Sequence, residues 1–318
     1  MKIKRRNLYF IGAVLFVILF LISLFAGIVG KEFTATARLI LFKIRIPRTI
    51  AALVCGAALS VSGLILQTTL NNTLASPGII GINSGAGFFV LVVSLIFPFG
   101  ALARCLGAFT GAVLAVLIVY FISEKAGVSK TTLILAGVAV SSLMSAGIDV
   151  VITLHPEIVA DKVAFNLGGF QNISISSLYF AIPVIVAGLV VLIFLSGGID
   201  LFALGDEAAY GLGLNVGACR IAAILISGIL AGCAVSICGL LGFVGLIIPN
   251  FVRLAGKANT RSNIFMCLLL GADFLMLCDL IARFLFYPYE LPVGLFLSCL
   301  GSPFFIWMLI RKKKKLGV

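Results

Sequence analysis

Three charged side chains fall inside one long apolar stretch, where they could pair, bind a charged group or carry a charge. Asp273, Asp279 and Arg283 all lie within residues 262–285. If that stretch crosses lipid, burying such groups is costly, and they are candidates for function by default. Asp279 and Arg283 are four residues apart, so one side of a helix presents both and they can pair. The pair is either structural or a direct part of the function, while Asp273 lies deeper and has no obvious local partner.

A second pair of charges, Arg45 and Arg48, precedes another apolar run, with Pro47 between them. Three-residue spacing at the start of a helix places both guanidinium groups on one face. Arginine suits planar, bidentate recognition of carboxylates. The pattern therefore predicts recognition of an acidic partner, with anchoring at a membrane interface as the alternative.

Enzymatic chemistry finds little support among these residues, and no catalytic residue is predicted. A serine nucleophile needs a base within hydrogen-bond reach, but the one histidine, His155, is predicted at the opposite membrane face from Ser84 in the stretch GINSG. No G-x-x-x-x-G-K-[ST] phosphate loop is present, so any ATP chemistry needs another polypeptide. The eight cysteines form no C-x-x-C motif. We interpret them as small core residues and predict no metal site.

The elements that carry these residues are membrane helices. Hydrophobic residues make up 62% and charged residues 11% of the 318 residues, with a mean hydropathy of +1.27; soluble proteins average roughly 45–50% apolar and roughly 25% charged. Apolar runs of about 20 residues predict helices that cross the bilayer. The predicted fold class is all-α, a polytopic bundle of about ten transmembrane helices in a single domain, residues 1–318. The runs lie near residues 7–30, 48–67, 79–97, 102–122, 131–153, 176–197, 218–238, 240–255, 262–285 and 291–310.

The basic residues predict the orientation of the chain. An even number of spans puts both termini on one side, and the runs Met1–Arg6 and Arg311–Lys315 mark that side as cytoplasmic. Most of the 23 Lys and Arg residues then lie inside. We therefore attribute the net charge of +12 to orientation and anionic headgroups rather than to nucleic acid.

A polar, glycine-punctuated segment, Ala203–Val216 (ALGDEAAYGLGLNV), interrupts the apolar runs on the cytoplasmic side; we call it the island. Two acids favour the first turn of a short helix, two alanines promote it, and a following glycine ends it. We interpret the island as a handle moved by a separate soluble motor protein, with an ordinary helix–turn connection as the alternative. The residues concerned are Asp206, Glu207, Ala208, Ala209, Gly211 and Gly213.

Long motifs carry a resemblance to a known family. Arg45–Asn83 (RIPRTIAALVCGAALSVSGLILQTTLNNTLASPGIIGIN) resembles the second-span signature of the FecCD family of ABC-transporter permeases, which import iron–siderophore complexes, haem or vitamin B12. Gly242–Arg261 (GFVGLIIPNFVRLAGKANTR) and Glu290–Phe305 (ELPVGLFLSCLGSPFF) resemble two later blocks of that family. The island is also similar to the E-A-A-x-x-x-G loop that ATPases hold in ABC importers. The resemblance therefore covers nearly the whole chain.

The resemblance implies a vitamin-B12-permease-like bundle in a bacterial cell membrane. It implies a second permease subunit, identical or paralogous, two cytoplasmic ATPase subunits that bind ATP and Mg²⁺, and an extracytoplasmic substrate-binding protein. This chain then needs no cofactor of its own. The roles that it implies are docking of the binding protein for Arg45, Arg48 and Arg283, a cytoplasmic gate for Asn72, Leu74, Ser141 and Ser142, and ATPase coupling for the island within a loop near residues 198–216.

The predicted function is thus the permease subunit of an ATP-driven importer, for an iron(III)–siderophore or a related metal chelate, working by alternating access. The alternative is a secondary transporter driven by an ion gradient, which predicts carboxylates around a midplane cavity. Asp273 is the only deep candidate for that role. Thr73 and Asn250 depart from the family pattern, which has proline and histidine there, and this leaves the rigidity of the gate open.

Overall fold

The described part of the chain is almost entirely helical. The structure, a computed structural model, describes residues 5–25, 35–98, 100–126, 129–171, 173–256, 258–285 and 289–315, and these contain no β-strand. Of the two terminal basic runs, residues 1–4 lie outside the described part. The helices are α1 (Arg5–Phe25), α2 (Ala35–Ile40), α3 (Ile46–Thr69), α4 (Ile82–Ile96), α5 (Ala101–Lys125), α6 (Lys130–Leu154), α7 (Val159–Leu167), α8 (Ile175–Leu201), α9 (Asp206–Gly211), α10 (Val216–Cys238), α11 (Val244–Leu254), α12 (Thr260–Phe284) and α13 (Val293–Lys315).

The apolar runs of the sequence reappear as apolar helices, which confirms the predicted fold class. Among the described residues, seven segments are long and apolar enough to cross a membrane: α1, residues 38–69, α5, α6, α8, α10 and α12. Three shorter apolar helices complete the set, namely α4, α11 and the part Val293–Ile306 of α13. A π-helical turn, Leu41–Arg45, joins α2 to α3. This turn makes the second span longer than its apolar run.

Two helices begin later than the hydropathy predicts. The third span was expected from residue 79, but Pro77–Ile80 form a 3₁₀ turn and Gly81 has a φ of +81°. The eighth was expected from residue 240, but Gly239 and Phe243 have φ values of +68° and +67°. Because a positive φ does not fit a right-handed helix, α4 begins at Ile82 and α11 at Val244.

Helix α3 is the most enclosed span, with 83% of its apolar window buried. A methyl group on Gly56 would collide with the carbonyl group of Gly271 in α12, and one on Gly63 with the backbone of Gly245 in α11. Small residues permit such close approach between membrane helices. The position of α3 is therefore fixed by direct contact with two neighbouring backbones.

Other spans lie at the outside of the bundle. The buried apolar side chains form one continuous cluster that runs from Leu8 to Leu297. By contrast, the apolar windows of α1, α6 and α8 are only 22%, 17% and 22% buried. These three helices therefore present most of their surface to lipid or to another subunit.

Candidate functional site

Arg48 is the centre of an ion-pair cluster at one end of the bundle. Its Nη2 donates to Asp279 Oδ1 at 2.8 Å, and its Nε lies 3.0 and 3.1 Å from the two oxygens of the same carboxylate. Its Nη1 donates to Glu290 Oε2 at 2.7 Å. Arg48 is 5% exposed and Asp279 is 1% exposed, so each charge needs the other in the interior. The cluster ties α3 to α12 and to the segment before α13.

The other two predicted docking residues lie beside this cluster. Arg45 and Arg283 donate to main-chain carbonyl groups in the last turn of α1, at 3.1 Å and 3.4 Å. Both are partly exposed, whereas Arg48 is interior. The structure therefore brings the three arginines together, but the partner of Asp279 differs from expectation. It is Arg48 from α3, and not Arg283 one turn along α12, that holds the carboxylate.

The island contains the expected short helix. Helix α9 has both acids in its first turn and ends at Gly211. Gly213 follows with a φ of +86°, a left-handed conformation that glycine adopts without strain. Ala209 is buried, Asp206 is partly exposed, and the remaining predicted coupling residues are exposed: Glu207, Ala208, Gly211 and Gly213. Most of these residues are thus accessible to a partner.

Two polar contacts of this end of the bundle were missed by the sequence reasoning. Arg220, which is 3% exposed, donates from Nη2 to Asp206 Oδ1 at 2.7 Å. Asp200, at the end of α8, accepts a hydrogen bond from the main-chain N–H of Thr260 at 2.7 Å. The available signal was a charged residue near the start of an apolar run, but local spacing does not reveal a partner 14 residues away.

The predicted gate residues Asn72 and Leu74 lie in a non-helical turn after α3. Asn72 Oδ1 accepts a hydrogen bond from the N–H of Leu74 at 3.0 Å, which stabilises the turn locally. Asn250 of α11 donates from Nδ2 to the carbonyl of Thr73 at 3.1 Å. The two positions that depart from the family pattern therefore contact each other, and Asn250 holds the turn against α11.

Helix α6 carries the other two predicted gate residues, Ser141 and Ser142. Ser141 lies beside Gly81, in the connection between α3 and α4, and Gly137 packs against the backbone of Ile79 in the same connection. Ser142 is exposed, and its hydroxyl donates to its own helix at 3.0 Å. The connection that follows Asn72 and Leu74 thus packs directly on α6.

A polar stripe runs along α6 beyond the gate. Its members are separated by three or four residues, share one face of the helix and are all exposed. Asp149 forms an ion pair with Lys162 of α7 at 3.4 Å. The spacing of these residues was visible in the sequence. The stripe consists of Ser142, Ser145, Asp149 and Thr153.

Asp273 lies in the packed interior. It is 2% exposed, and neither carboxylate oxygen has a hydrogen-bond partner among the described residues. Helical periodicity places it on the face of α12 that holds Ser262 and Leu269, and those two contact Tyr9 and Gly12 of α1. In the described ranges no three His, Cys, Asp or Glu residues are grouped as metal ligands. Asp273 is therefore separate from the polar stripe.

Comparison with known proteins decides the class of this bundle. The model of the FecCD transport family matches residues 9–311. The chain belongs to this family. The sites described above are therefore those of a transport subunit, a component of this family without a catalytic site of its own.

Related permeases align over most of this FecCD-family chain. The Fe(3+)-citrate import system permease protein YfmD of Bacillus subtilis is 35% identical over 279 residues, which cover 88% of this chain and 83% of the relative. The hemin transport system permease protein HmuU of Yersinia pestis is 33% identical, with 86% and 83% covered. The vitamin B12 import system permease protein BtuC of Citrobacter koseri is 33% identical, with 98% and 97% covered.

A solved structure agrees with the assignment of this chain to the FecCD family. A structure assigned to the metal-chelate type of ABC transporter, in an inward-facing conformation, matches with a TM-score of 0.87 and 29% identity, over 96% of this chain and 99% of that one. This FecCD-family chain is therefore a permease subunit of an ABC importer, as the sequence predicted. Permeases of this kind cross the inner membrane several times and act with ATPase and substrate-binding partners.

Proposed function

We propose that this chain imports a ferric chelate together with a second permease subunit, either an identical copy or a paralogue. The observation that carries this proposal is the polar stripe of α6, which is exposed on a spanning helix. Polar and ionisable side chains within a membrane face protein or a water-filled cavity rather than lipid. The stripe therefore lines a translocation pathway at the interface between the two permeases.

Both termini and the island lie on the cytoplasmic side in this proposal. Arg5 bonds to the carbonyl of Gly256 and to Asn263 at 2.8 and 2.6 Å, and Asp200 bonds to Thr260, so the start of α1, the end of α8 and the start of α12 share one end of the bundle. The basic N-terminus favours the cytoplasm for that end. Two ATPase subunits, which bind ATP and Mg²⁺, act there on α9.

An extracytoplasmic binding protein docks at the opposite end. Arg45 and Arg283 supply partly exposed guanidinium groups there, which suit acidic residues on that protein. Arg48 has a different part, because its side chain is only 6% exposed and is engaged by Asp279 and Glu290. Arg48 holds α3, α12 and the segment before α13 together, while Arg45 and Arg283 contact the binding protein.

The gate at the inner end is formed by the connection between α3 and α4, which begins with the turn of Asn72 and Leu74 and packs on α6 at Ile79 and Gly81. ATP binding moves α9, the bundle rocks, and this connection separates from the Ser141 side of α6. The pathway then opens to the other side, as in other rigid-body switches. By their names, the matched relatives import Fe(3+)-citrate, hemin, vitamin B12 and iron(3+)-hydroxamate. In two of these substrates, the citrate and the hydroxamate complexes, oxygen ligands hold ferric iron. We therefore favour that class of chelate.

Reconstitution in lipid vesicles with the cognate ATPase and binding protein tests this function. We expect accumulation of ferric citrate or a ferric hydroxamate that requires ATP and ceases when the ATPase is left out. Accumulation that persists on a proton gradient without the ATPase would identify a secondary transporter instead. ATP-driven uptake of haem or cobalamin alone would contradict the substrate class and leave the importer intact.

A pair of variants tests the pathway. Ser145→Phe adds bulk to the stripe and is expected to reduce uptake without loss of ATPase binding. Val191→Phe on α8, where the native side chain is 44% exposed, adds bulk to a face without polar residues and serves as the matched control. Equal uptake by the two variants would remove the stripe from the pathway.

A further inference from the structure

Arg220 joins three elements around the island. Its guanidinium group donates to Asp206 Oδ1 at 2.7 Å and lies over the ring of Phe202, with 5.4 Å between Cζ and the ring centroid. Asp206 begins α9, Phe202 begins a 3₁₀ turn that continues α8, and Arg220 itself lies in the second turn of α10. One side chain thus connects α8, α9 and α10.

The two ends of this contact differ in burial. The side chain of Arg220 is 4% exposed, whereas that of Asp206 is 42% exposed, and Phe202 is 3% exposed. A buried guanidinium group needs its charged partner, and a charge-assisted hydrogen bond is stronger than a neutral one. The aromatic face adds a cation–π contact. Arg220 is therefore fixed to the body of the protein, and α9 is attached to it from outside.

Two glycines flank helix α9 along the chain. Gly205 and Gly213 have φ values of +96° and +86°, and no atom of the described residues would contact a methyl group on either of them. Main-chain hydrogen bonds hold both glycines to α9, from the Ala209 N–H to Gly205 and from the Gly213 N–H to Tyr210. These bonds stay within the island, whereas the bond between Asp206 and Arg220 joins α9 to α10.

Helix α10 is well placed to receive such a force. Gly228 and Gly232 let it pack closely on Val116 and Ala112 of α5. On α3, the Ser62 hydroxyl donates to the Ser227 carbonyl of α10 at 2.8 Å. Movement of α10 is therefore passed to α5 and to α3, the helix that leads into the gate connection.

We propose that Arg220 is the positioning residue that transmits movement of α9 to α10. The inference rests on the proposed function, in which the ATPase acts on α9, and it assigns the point of transfer to a side chain outside the island. Arg220 contacts neither the ATPase nor the chelate. It acts through Asp206, so its loss should alter the coupling between hydrolysis and transport rather than the binding of either partner.

The test compares the number of ATP molecules hydrolysed per chelate imported in vesicles that contain the complete transporter. Arg220→Met keeps the apolar bulk and removes the charge, and we expect this ratio to rise about tenfold, the size expected for one charge-assisted hydrogen bond. Arg220→Lys restores a charge but not the planar group, and should give an intermediate ratio. Asp206→Asn tests the same contact from its exposed end without removing a buried side chain.

Arg5 provides a matched control at the same end of the bundle. It donates to three groups, Gly256, Ser262 and Asn263, and its Nε, like that of Arg220, is buried without a hydrogen-bond partner among the described residues. It does not contact the island in these bonds. Arg5→Met should therefore lower thermal stability while the ratio of hydrolysis to import stays at the wild-type value.

A cross-linking arm separates failure of this inference from failure of the proposed function. A photo-crosslinking side chain in place of Leu212, which is 63% exposed, should capture the ATPase in wild-type and Arg220→Met backgrounds alike. If neither background gives the cross-link, the ATPase does not act on the island and the proposed function fails at that point. The other outcome is that the cross-link forms in both backgrounds while the ratio of ATP hydrolysed to chelate imported is unchanged in Arg220→Met and Asp206→Asn. Arg220 then has only a structural role, and the inference is overturned.

Discussion

The ion pair between Arg48 and Asp279 offers the sharpest test of how the outer end of the bundle is held. Arg48→Met retains an apolar chain of similar length and removes the guanidinium group. Asp279, which is 1% exposed, would then lose its cation from α3. Removing one member of a buried pair costs about 3–5 kcal/mol because the other charge is stranded. We expect the free energy of unfolding to fall by that amount.

A second substitution should reverse most of this loss. Adding Asp279→Leu removes the stranded carboxylate, and Glu290, the third member, has a side chain that is 42% exposed and can be hydrated. Replacing a buried pair with apolar groups is often neutral or stabilising by about 1–4 kcal/mol. The double variant should therefore be more stable than Arg48→Met alone, with a coupling energy of about 2 kcal/mol or more.

Denaturant unfolding in mixed micelles, followed by circular dichroism, measures these differences. The control is Arg104→Met, because Arg104 and Asp161 form a 3.5 Å pair with side chains that are 34% and 35% exposed. An exposed pair contributes up to about 1 kcal/mol, so this variant should change little. A loss below about 1 kcal/mol for Arg48→Met, or a double variant no more stable than it, would refute the reasoning.

Three further substitutions probe other parts of the permease. Asp273→Leu should raise the free energy of unfolding by about 1–3 kcal/mol, since it removes a buried carboxyl group that has no hydrogen-bond partner among the described residues, and leave uptake intact; lost uptake at unchanged stability would make Asp273 a transport residue. Asn250→Ala frees the turn at Thr73 and should increase leak of chelate from loaded vesicles without ATP; an unchanged leak would contradict its role. Gly213→Val, strained by about 1–3 kcal/mol at positive φ, should insert normally but consume more ATP per chelate imported. Gly197→Ala is the control, because its added methyl group meets no atom of the described residues within 4 Å, and it should leave this ratio unchanged.

Hydropathy and local spacing predicted the spans and the island helix because both depend on neighbouring residues. Runs of about 20 apolar residues fix which segments cross lipid, and two acids ahead of two alanines fix where a short helix starts. The late starts of α4 and α11 could not be predicted in this way. They depend on backbone angles at Gly81 and Phe243, and tertiary contacts set those angles.

The ion pairs could not be predicted from the spacing of residues in the sequence. Four-residue separation made Arg283 the natural partner for Asp279, but the partner in the structure, Arg48, is 231 residues away in sequence. Only the packing of α3 on α12 brings them together. The same limit applies to Arg220, whose hydrogen bond to Asp206 depends on how the chain turns between α9 and α10.

The distribution of burial indicates which helix moves when the gate opens. Helix α3 is clamped at its outer end by Arg48 and along its length by backbone contacts at Gly56 and Gly63, so bending it would break several buried contacts at once. The apolar window of α6 is only 17% buried, and Gly137 meets the turn before α4 without a side chain in between. Sliding α6 past that turn disturbs far less packing. We therefore expect the gate to open mainly by movement of α6 relative to α3, and distance measurements between spin labels on the two helices should change more than those between α3 and α12.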